Sequence, residues 1–225
     1  MYNRINQTLS IVFSMLMCFP LVSCGDDDSE DSSSSKGNGT LNGHDYVDLG
    51  LPSGTKWATC NVGASNPEGY GDYFAWGETK PKDEYYASDY SWYNDRGFIK
   101  YTNSVLLPKD DAATVNWGTD WRMPTVDEMN ELISKCKFSW TEINGVEGGK
   151  FTAKNGNFIF LPAAGHKYGS HFSLEGESGG YWTSSNADAN YIPVPSYILF
   201  DSENKPYYLL EDHSHRGYSV RPVCK

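Results

Sequence analysis

Basic side chains are scarce in this sequence. Its 225 residues include 18 Lys and Arg against 29 Asp and Glu, which gives a formal net charge of -11 at pH 7. A surface of that sign repels phosphates, whereas nucleic-acid binding depends on clustered Lys and Arg, and the sequence contains no such cluster. The composition therefore excludes nucleic acid from the expected partners.

Helical periodicity is rare as well. One stretch, from Thr125 to about Cys136, combines a capping box of Thr125 and Glu128 with apolar residues at helical spacing. The segment before it, Trp117 to Thr125, holds two Trp and an Arg and predicts a buried corner at the helix start. A short helix is expected at 110–116. Because 22 Gly and 16 Tyr accompany so little helix, we expect one domain of many short strands and long turns.

Long apolar runs are limited to one segment, residues 11–20, which is too short to span a membrane comfortably as a mature helix. It follows Arg4 and precedes Leu21-Val22-Ser23-Cys24, which resembles a bacterial lipobox. We therefore expect residues 1–23 to be a lipoprotein signal peptide and Cys24 to be lipidated, which attaches the chain to a membrane. The alternative is a plain secretory signal in which Cys24 is incidental.

Residues 24–40 carry no apolar segment that could enter a core, and we expect them to form a flexible acidic tether. The acidic run 26–31 resembles the export signal of Bacteroidetes lipoproteins, which implies an outer-membrane protein exposed at the cell surface. A merely solubilising linker is the alternative. The remaining residues, 41–225, are expected to form the globular domain.

Turn residues divide that domain into predicted strands. Asn155-Gly156 predicts a type I′ turn between strands at 150–154 and 157–161. A first hairpin is predicted from 44–49 and 55–62, and a closing three-stranded meander from 196–201, 206–211 and 217–223. Between them, residues 79–107 are polar and rich in Tyr, with no periodicity, and predict a long surface excursion.

Six motifs follow one another along the globular part of the chain. They are Gly50-Leu51-Pro52-Ser53-Gly54-Thr55-Lys56-Trp57-Ala58, Gly71-Asp72-Tyr73-Phe74-Ala75-Trp76-Gly77-Glu78, Trp121-Arg122-Met123-Pro124-Thr125, Phe160-Leu161-Pro162-Ala163-Ala164-Gly165, Tyr181-Trp182-Thr183-Ser184-Ser185 and Ser219-Val220-Arg221-Pro222-Val223. In this order they resemble the Fibrobacter succinogenes major paralogous domain of surface lipoproteins. The resemblance implies a C-type-lectin-like α+β fold related to formylglycine-generating enzyme, with small twisted antiparallel sheets, one or two helices and long loops. It also implies that the N- and C-terminal strands pair.

The resemblance implies no established activity, and the chemistry of the related families does not transfer. The resemblance to formylglycine-generating enzyme would imply oxidase chemistry at a copper site built on two nearby cysteines late in the chain, whereas here Cys224 stands alone near the end. Calcium lectins use Glu-Pro-Asn or Gln-Pro-Asp with Trp-Asn-Asp, and this chain has none of these motifs. His213 and His215 alternate and make a two-His metal site geometrically possible, but a solvated loop is the preferred interpretation. We expect no metal, no cofactor and no enzymatic activity.

Three cysteines follow Cys24: Cys60, Cys136 and Cys224. If the terminal strands pair as the resemblance implies, Cys60 and Cys224 come close enough for a disulfide and Cys136 stays behind the helix. Three buried thiols are the alternative.

Aromatic residues supply the candidate binding site. Trp57, Trp76, Trp117, Trp121 and Trp182 are in strand or corner contexts and are expected in the core. Exposed rings are expected in the polar excursion, with secondary candidates at Tyr168, His171 and Phe172. The alternative is that the loop folds back and packs its own rings. The primary candidates are Tyr85, Tyr86, Tyr90, Trp92 and Tyr93.

These features together predict a cell-surface lipoprotein that acts as a non-enzymatic binding module for a glycan or a protein ligand. The rival hypothesis is a structural or accessory envelope lipoprotein that contacts other envelope proteins. An enzyme of unknown reaction comes third.

Overall fold

The structure is a computed structural model that describes residues 37–187, 193–203, 205–210 and 213–225. The predicted signal peptide, Cys24, most of the tether and Asp212 lie outside the described residues. The helices are α1 (Ala112–Trp117) and α2 (Val126–Lys135), with 3₁₀ turns at Ala87–Asp89 and Pro108–Asp110. The strands are β1 (Gly39–Leu41), β2 (His44–Val47), β3 (Lys56–Ala58), β4 (Tyr73–Phe74), β5 (Tyr93–Asn94), β6 (Gly97–Phe98), β7 (Lys137–Ile143), β8 (Val146–Thr152), β9 (Phe158–Pro162), β10 (His166–Tyr168), β11 (His171–Ser173), β12 (Ser178–Asn186), β13 (Pro195–Asp201), β14 (Tyr207–Leu210), β15 (Tyr218–Ser219) and β16 (Val223–Cys224).

The described residues form a mixed α+β structure of small, mostly antiparallel sheets, as the sequence predicts. One sheet has the order β1-β2-β3-β16, so the last strand pairs with an early one. Val223 lies opposite Trp57, and Val47 pairs with Trp57 from the other side. The predicted first hairpin and the expected pairing of the terminal strands are therefore both confirmed.

The second sheet has the order β14-β13-β12-β15-β4 and corrects the predicted closing meander. β13 and β14 pair as neighbours, but the third segment of the meander does not join them. Instead β15 pairs parallel with β12 and antiparallel with β4, and β16 continues into the first sheet. The backbone carbonyls of the segment between β15 and β16 accept hydrogen bonds from β3 and the residues after it: Val62 N donates to Val220 O, and Ala58 N donates to Pro222 O. This crossover links the two sheets.

The third sheet, β7-β8-β9, corrects the predicted turn. The β8–β9 hairpin exists, but only Gly156 of the pair Asn155-Gly156 has a positive φ, so its turn is not type I′. The type I′ geometry occurs at Asn144-Gly145, with φ values of 50° and 81°, between Ile143 and Val146. Both dipeptides carry the same local signal, but Asn144-Gly145 lies directly between the paired residues Ile143 and Val146, whereas Asn155-Gly156 lies inside the longer loop 153–157.

Helix α2 begins as the sequence predicts. The Thr125 side chain accepts from Glu128 N, and the Glu128 carboxylate accepts from Thr125 N, which completes the capping box. Met129 and Leu132 are buried in a core shared with the first and third sheets. The short helix α1 is also confirmed, and the Asp111 carboxylate caps it by accepting from Thr114 N at 2.9 Å.

Four of the five tryptophans expected in the core are buried there. Trp57, Trp76, Trp121 and Trp182 have no exposed surface, whereas Trp117 is only half-buried and stacks on His44 with ring centroids 3.7 Å apart. The indole N–H groups of Trp76 and Trp182 donate to Thr183 O and Phe74 O respectively. Because each donor is satisfied across the sheet, these rings fix strand positions as well as filling volume.

The Glu128 carboxylate joins the corner, the helix, the residue before β3 and the residue after β16. It accepts from both terminal nitrogens of Arg122, at 2.6 and 2.5 Å, and from the Thr55 hydroxyl at 2.8 Å. Lys225 Nζ lies 3.7 Å away. Burial alone would raise the pKa of Glu128, but the hydrogen bonds from Arg122 and Thr125, the Arg122 charge and the Thr55 hydrogen bond together lower it to about 2.

Replacing Glu128 with Gln removes this charge, and we expect the free energy of unfolding to fall by about 2–3 kcal/mol near pH 7. Because the folded pKa is about 2 and the reference value is 4.5, the stabilising contribution is present above the reference value and is lost as the pH falls toward the folded value. Urea unfolding at about pH 7 and about pH 2.5 measures this.

The difference between wild type and Glu128→Gln should shrink at the lower pH. Glu142→Gln, an exposed change of the same charge on β7, should leave stability unchanged within about 0.5 kcal/mol at both. A difference that stays constant with pH would contradict the assigned role.

Candidate functional site

Two of the predicted binding tyrosines are buried, which corrects the expectation that they are exposed. Tyr85 is 0% exposed and Tyr90 is 2% exposed. Their hydroxyls donate to Tyr73 O and to Trp76 O, and burial raises the pKa of Tyr85 to about 12 and raises the pKa of Tyr90. Both rings therefore fasten the excursion to the core, and for them the alternative of a loop that packs its own rings holds.

The neighbouring tyrosines point outward. Tyr86 is 41% exposed and Tyr93 is 37% exposed. Each is next to, or close in sequence to, a buried anchor, so the same extended backbone that buries one ring presents the next. The prediction of exposure is confirmed for Tyr86 and Tyr93.

Aromatic rings from separate segments meet in one place, which we call the aromatic surface and define as the exposed Tyr86, Tyr93 and Tyr168, the half-buried Phe98 and the buried His215. Centroid distances link them in a series: 5.1 Å from Tyr93 to Phe98, 6.1 Å from Phe98 to His215, 6.2 Å from His215 to Tyr168 and 6.3 Å from Tyr168 to Tyr86. The secondary candidate Tyr168, 51% exposed, thus joins two primary ones.

Backbone bridges hold the three segments of the aromatic surface together. Tyr85 pairs with Gly169, and Lys167 pairs with Gly217. Gly169 has a φ of 59°, and a Cβ there would lie 2.7 Å from the Tyr86 ring. A glycine is therefore required where the excursion meets the β10–β11 hairpin.

The β10–β11 hairpin divides the other secondary candidates. Tyr168 is directly opposite His171, and Lys167 is opposite Phe172. Since opposite residues of an antiparallel pair share a face, His171 lies on the side of Tyr168 and Phe172 lies on the other. Phe172 packs against Tyr73 and under the Lys167 ammonium, 4.6 Å from its ring centre.

The loop that carries His213 and His215 is not solvated as the sequence suggests. Ser214 and His215 are buried, and Trp76 N donates to Ser214 O at 2.8 Å. The two imidazole centroids are 5.7 Å apart. Among the described residues, no group of three or more His, Cys, Asp or Glu side chains is arranged to hold a metal ion. Sequence reasoning missed the part His215 takes in the aromatic surface, because nothing local relates it to Phe98.

Trp92 lines a cleft of about 520 Å³ beside the aromatic surface. The ring is half-buried and held edge-on by Tyr101, with centroids 4.9 Å apart. In the β5–β6 hairpin, Tyr93 pairs with Phe98, and Ile99 N donates to Trp92 O. The pair Tyr93 and Phe98 belongs to the aromatic surface, whereas the neighbouring pair Trp92 and Ile99 lines the cleft. The β5–β6 hairpin is therefore the wall between the two.

The cleft is balanced in charge. Three lysines and three acidic residues line it. Lys82 pairs with Glu78 at 2.8 Å, and Lys109 pairs with Asp110 at 3.0 Å. Glu78 also accepts from the backbone and hydroxyl of Ser91. Charges matched in this way favour a neutral polar ligand over an ion. The lining charges are Glu78, Lys80, Lys82, Asp89, Lys109 and Asp110.

The disulfide proposed between Cys60 and Cys224 is absent: both thiols, and that of Cys136, are free. Cys224 pairs with Lys56, whereas Cys60 is four residues further along, an offset of about 13 Å at strand spacing. A disulfide needs Cα atoms within about 7 Å. The terminal strands do pair, but in a register that separates the sulfurs.

Comparison with protein-family models, curated proteins and solved structures finds no match to this chain. Within the described ranges, no helix is long and apolar enough to cross a membrane.

We expect a chain that begins at residue 37 to react with three equivalents of a thiol reagent in denaturant, with or without prior reduction. In the folded protein, Cys136 and Cys224 should react slowly, because burial raises the pKa of both thiols, to about 11 for Cys136. Mass spectrometry of the labelled peptides measures both. A single equivalent before reduction would restore the disulfide.

Proposed function

We propose that this chain is a surface-displayed lipoprotein whose domain, of C-type-lectin-like fold and of the Fibrobacter succinogenes major paralogous type, binds a glycan without catalysing a reaction. The fold proposal is supported by the paired strands β3 and β16 and by the small antiparallel sheets around α2. The binding proposal is supported above all by one observation: the exposed rings of Tyr86, Tyr93 and Tyr168 belong to one series of ring contacts, which is completed by Phe98 and the buried His215.

A sugar ring has an apolar face that stacks on a flat aromatic ring, while its hydroxyls need polar partners nearby. The aromatic surface offers both, because its tyrosines carry hydroxyls and the Arg216 guanidinium lies 5.6 Å from the Tyr168 ring centre. The rings are held by neighbours before any ligand arrives. Little side-chain entropy is then lost on binding.

The cleft extends the proposed site. Trp92 and Tyr93 lie on opposite sides of one hairpin, so a glycan of several units that crosses the hairpin contacts both. The balanced charge of the cleft supports a neutral sugar there. A volume of about 520 Å³ falls in the range of small-molecule sites.

A glycan array probed with the purified protein, with calcium and with chelator, tests the proposal. We expect a hit that chelator does not affect. Tyr86→Ala, Tyr93→Ala and Tyr168→Ala should each weaken it about tenfold or more, while stability changes by less than about 0.5 kcal/mol, because the rings are exposed.

Tyr207→Ala is the matched control. Tyr207 is 40% exposed but lies on β14, at the opposite edge of the five-stranded sheet from β4. Binding that survives all three aromatic changes but fails with Trp92→Ala would move the site into the cleft. A blank array would contradict the glycan proposal and favour a protein ligand or an accessory contact with other envelope proteins. A hit lost with chelator would contradict calcium independence.

The anchor has a separate test. Cys24→Ser should abolish incorporation of labelled fatty acid and release the protein from the membrane fraction, because Cys24 is the proposed acceptor. Cys18→Ser, in the same predicted signal segment, should leave both unchanged. Protease treatment of intact cells should degrade the wild-type domain, and a protected domain would argue against surface display.

A further inference from the structure

A second open pocket, of about 560 Å³, lies where β7 and β8 meet the adjoining ends of β12 and β13. It shares no residue with the cleft or the aromatic surface. Its polar and aromatic lining consists of Trp140, Glu147, Glu177, Ser178, Asp201, Ser202 and Glu203. We call it the acidic pocket.

The charge of the acidic pocket has one sign. Four of its lining residues are Asp or Glu, and no Lys, Arg or His is among the described residues that line it. This contrasts with the cleft, where lysines match the acids. Acidic groups that converge on one concave surface create a potential that attracts a cation.

Ser178 supplies a second and independent indication of a ligand. It faces Asp201 across the β12–β13 pair and is only 5% exposed. Within the described part of the chain, its buried hydroxyl has no hydrogen-bond partner. A buried hydroxyl without a partner destabilises the fold, so a ligand that donates a hydrogen bond to it is stabilised at this position.

Trp140 lines the same pocket from β7. Its ring is half-buried and held edge-on by Phe200, with centroids 6.4 Å apart. Its partner across the β7–β8 pair is Gly149, which puts no side chain beside the ring. An indole face attracts cations, and Trp is the strongest of the aromatic residues in this respect.

The described side chains of the acidic pocket do not form a ligand set for a bare metal ion. No group of three or more potential ligands in the described ranges is arranged to hold one. An alkylammonium group instead offers three N–H donors, a positive charge and an apolar stem, and these match Ser178, the acidic side chains and Trp140. We propose that the acidic pocket binds a primary alkylammonium group, carried either by a free diamine or by a lysine side chain.

Titration calorimetry of the full chain with cadaverine and with N-acetyl-lysine methylamide tests this proposal. We expect binding of at least one of the two, and the tighter one identifies the source of the amine. Pentanol, which keeps the stem without the charge, should not bind. Calcium chloride should not displace the amine. Binding of neither amine, or equal binding of pentanol, overturns the proposal.

Variants locate the site. Ser178→Ala should weaken amine binding about tenfold, and it costs the fold no hydrogen bond seen in the described residues. Trp140→Leu and Glu177→Gln should each weaken it severalfold. Circular dichroism verifies that each variant is folded.

Glu175→Gln is the matched control, because Glu175 lies two residues from Glu177 and does not line the pocket. It removes the same charge from the same turn and should leave amine binding unchanged. Equal weakening by Glu175→Gln and Glu177→Gln would mean that amines respond only to net charge, and the proposal would fail. Displacement by calcium would reassign the pocket to a metal.

Discussion

The hydrogen bonds accepted by the Glu128 carboxylate hold together the parts of the fold from which the other elements extend. Glu128 belongs to the first turn of α2, yet its partners come from the corner before the helix, at Arg122, and from the first sheet, at Thr55. Lys225, at the end of the chain, donates to Thr55 Oγ1 and completes the group. Because a buried carboxylate needs several donors at once, the helix start, the corner and the paired terminal strands must assemble together.

Arg221 extends this constraint to the second sheet. It is fully buried and donates to Asn61 Oδ1, Ala58 O and Thr59 O, all neutral acceptors at the end of β3. Burial lowers the pKa of this guanidinium. Its contacts explain why the chain crosses from β15 to β16 here. With both sheets fixed, β4 becomes a rigid edge to which Tyr85 and Tyr90 attach the excursion, and Tyr86 and Tyr93 face outward as a consequence.

The features that could be predicted from the sequence are those with a local physical cause. The capping box of Thr125 and Glu128 lies within one turn and specifies α2 directly. The choice between Tyr85 and Tyr86 has no such cause, because the two are neighbours in one polar stretch and Tyr85 is distinguished by a hydrogen bond to the distant Tyr73 O. His215 reaches the aromatic surface because the nearby Gly217 pairs with Lys167, and no spacing in the sequence predicts that pairing. The predicted meander is wrong for the same reason, because the contacts of Arg221 at the crossover are with residues distant in the sequence.

The net charge of -11 bears differently on the two sites. Long-range attraction raises the concentration of every cation near this surface, but salt screens it within about 8–10 Å. Charge alone therefore cannot make the acidic pocket selective over any other acidic patch of the chain. Selectivity has to come from short-range groups that the patches lack, namely the unpaired Ser178 hydroxyl and the Trp140 ring. The aromatic surface works in the opposite way, because stacking on neutral rings is insensitive to salt. A ligand that bound there would keep its affinity under conditions that empty the acidic pocket.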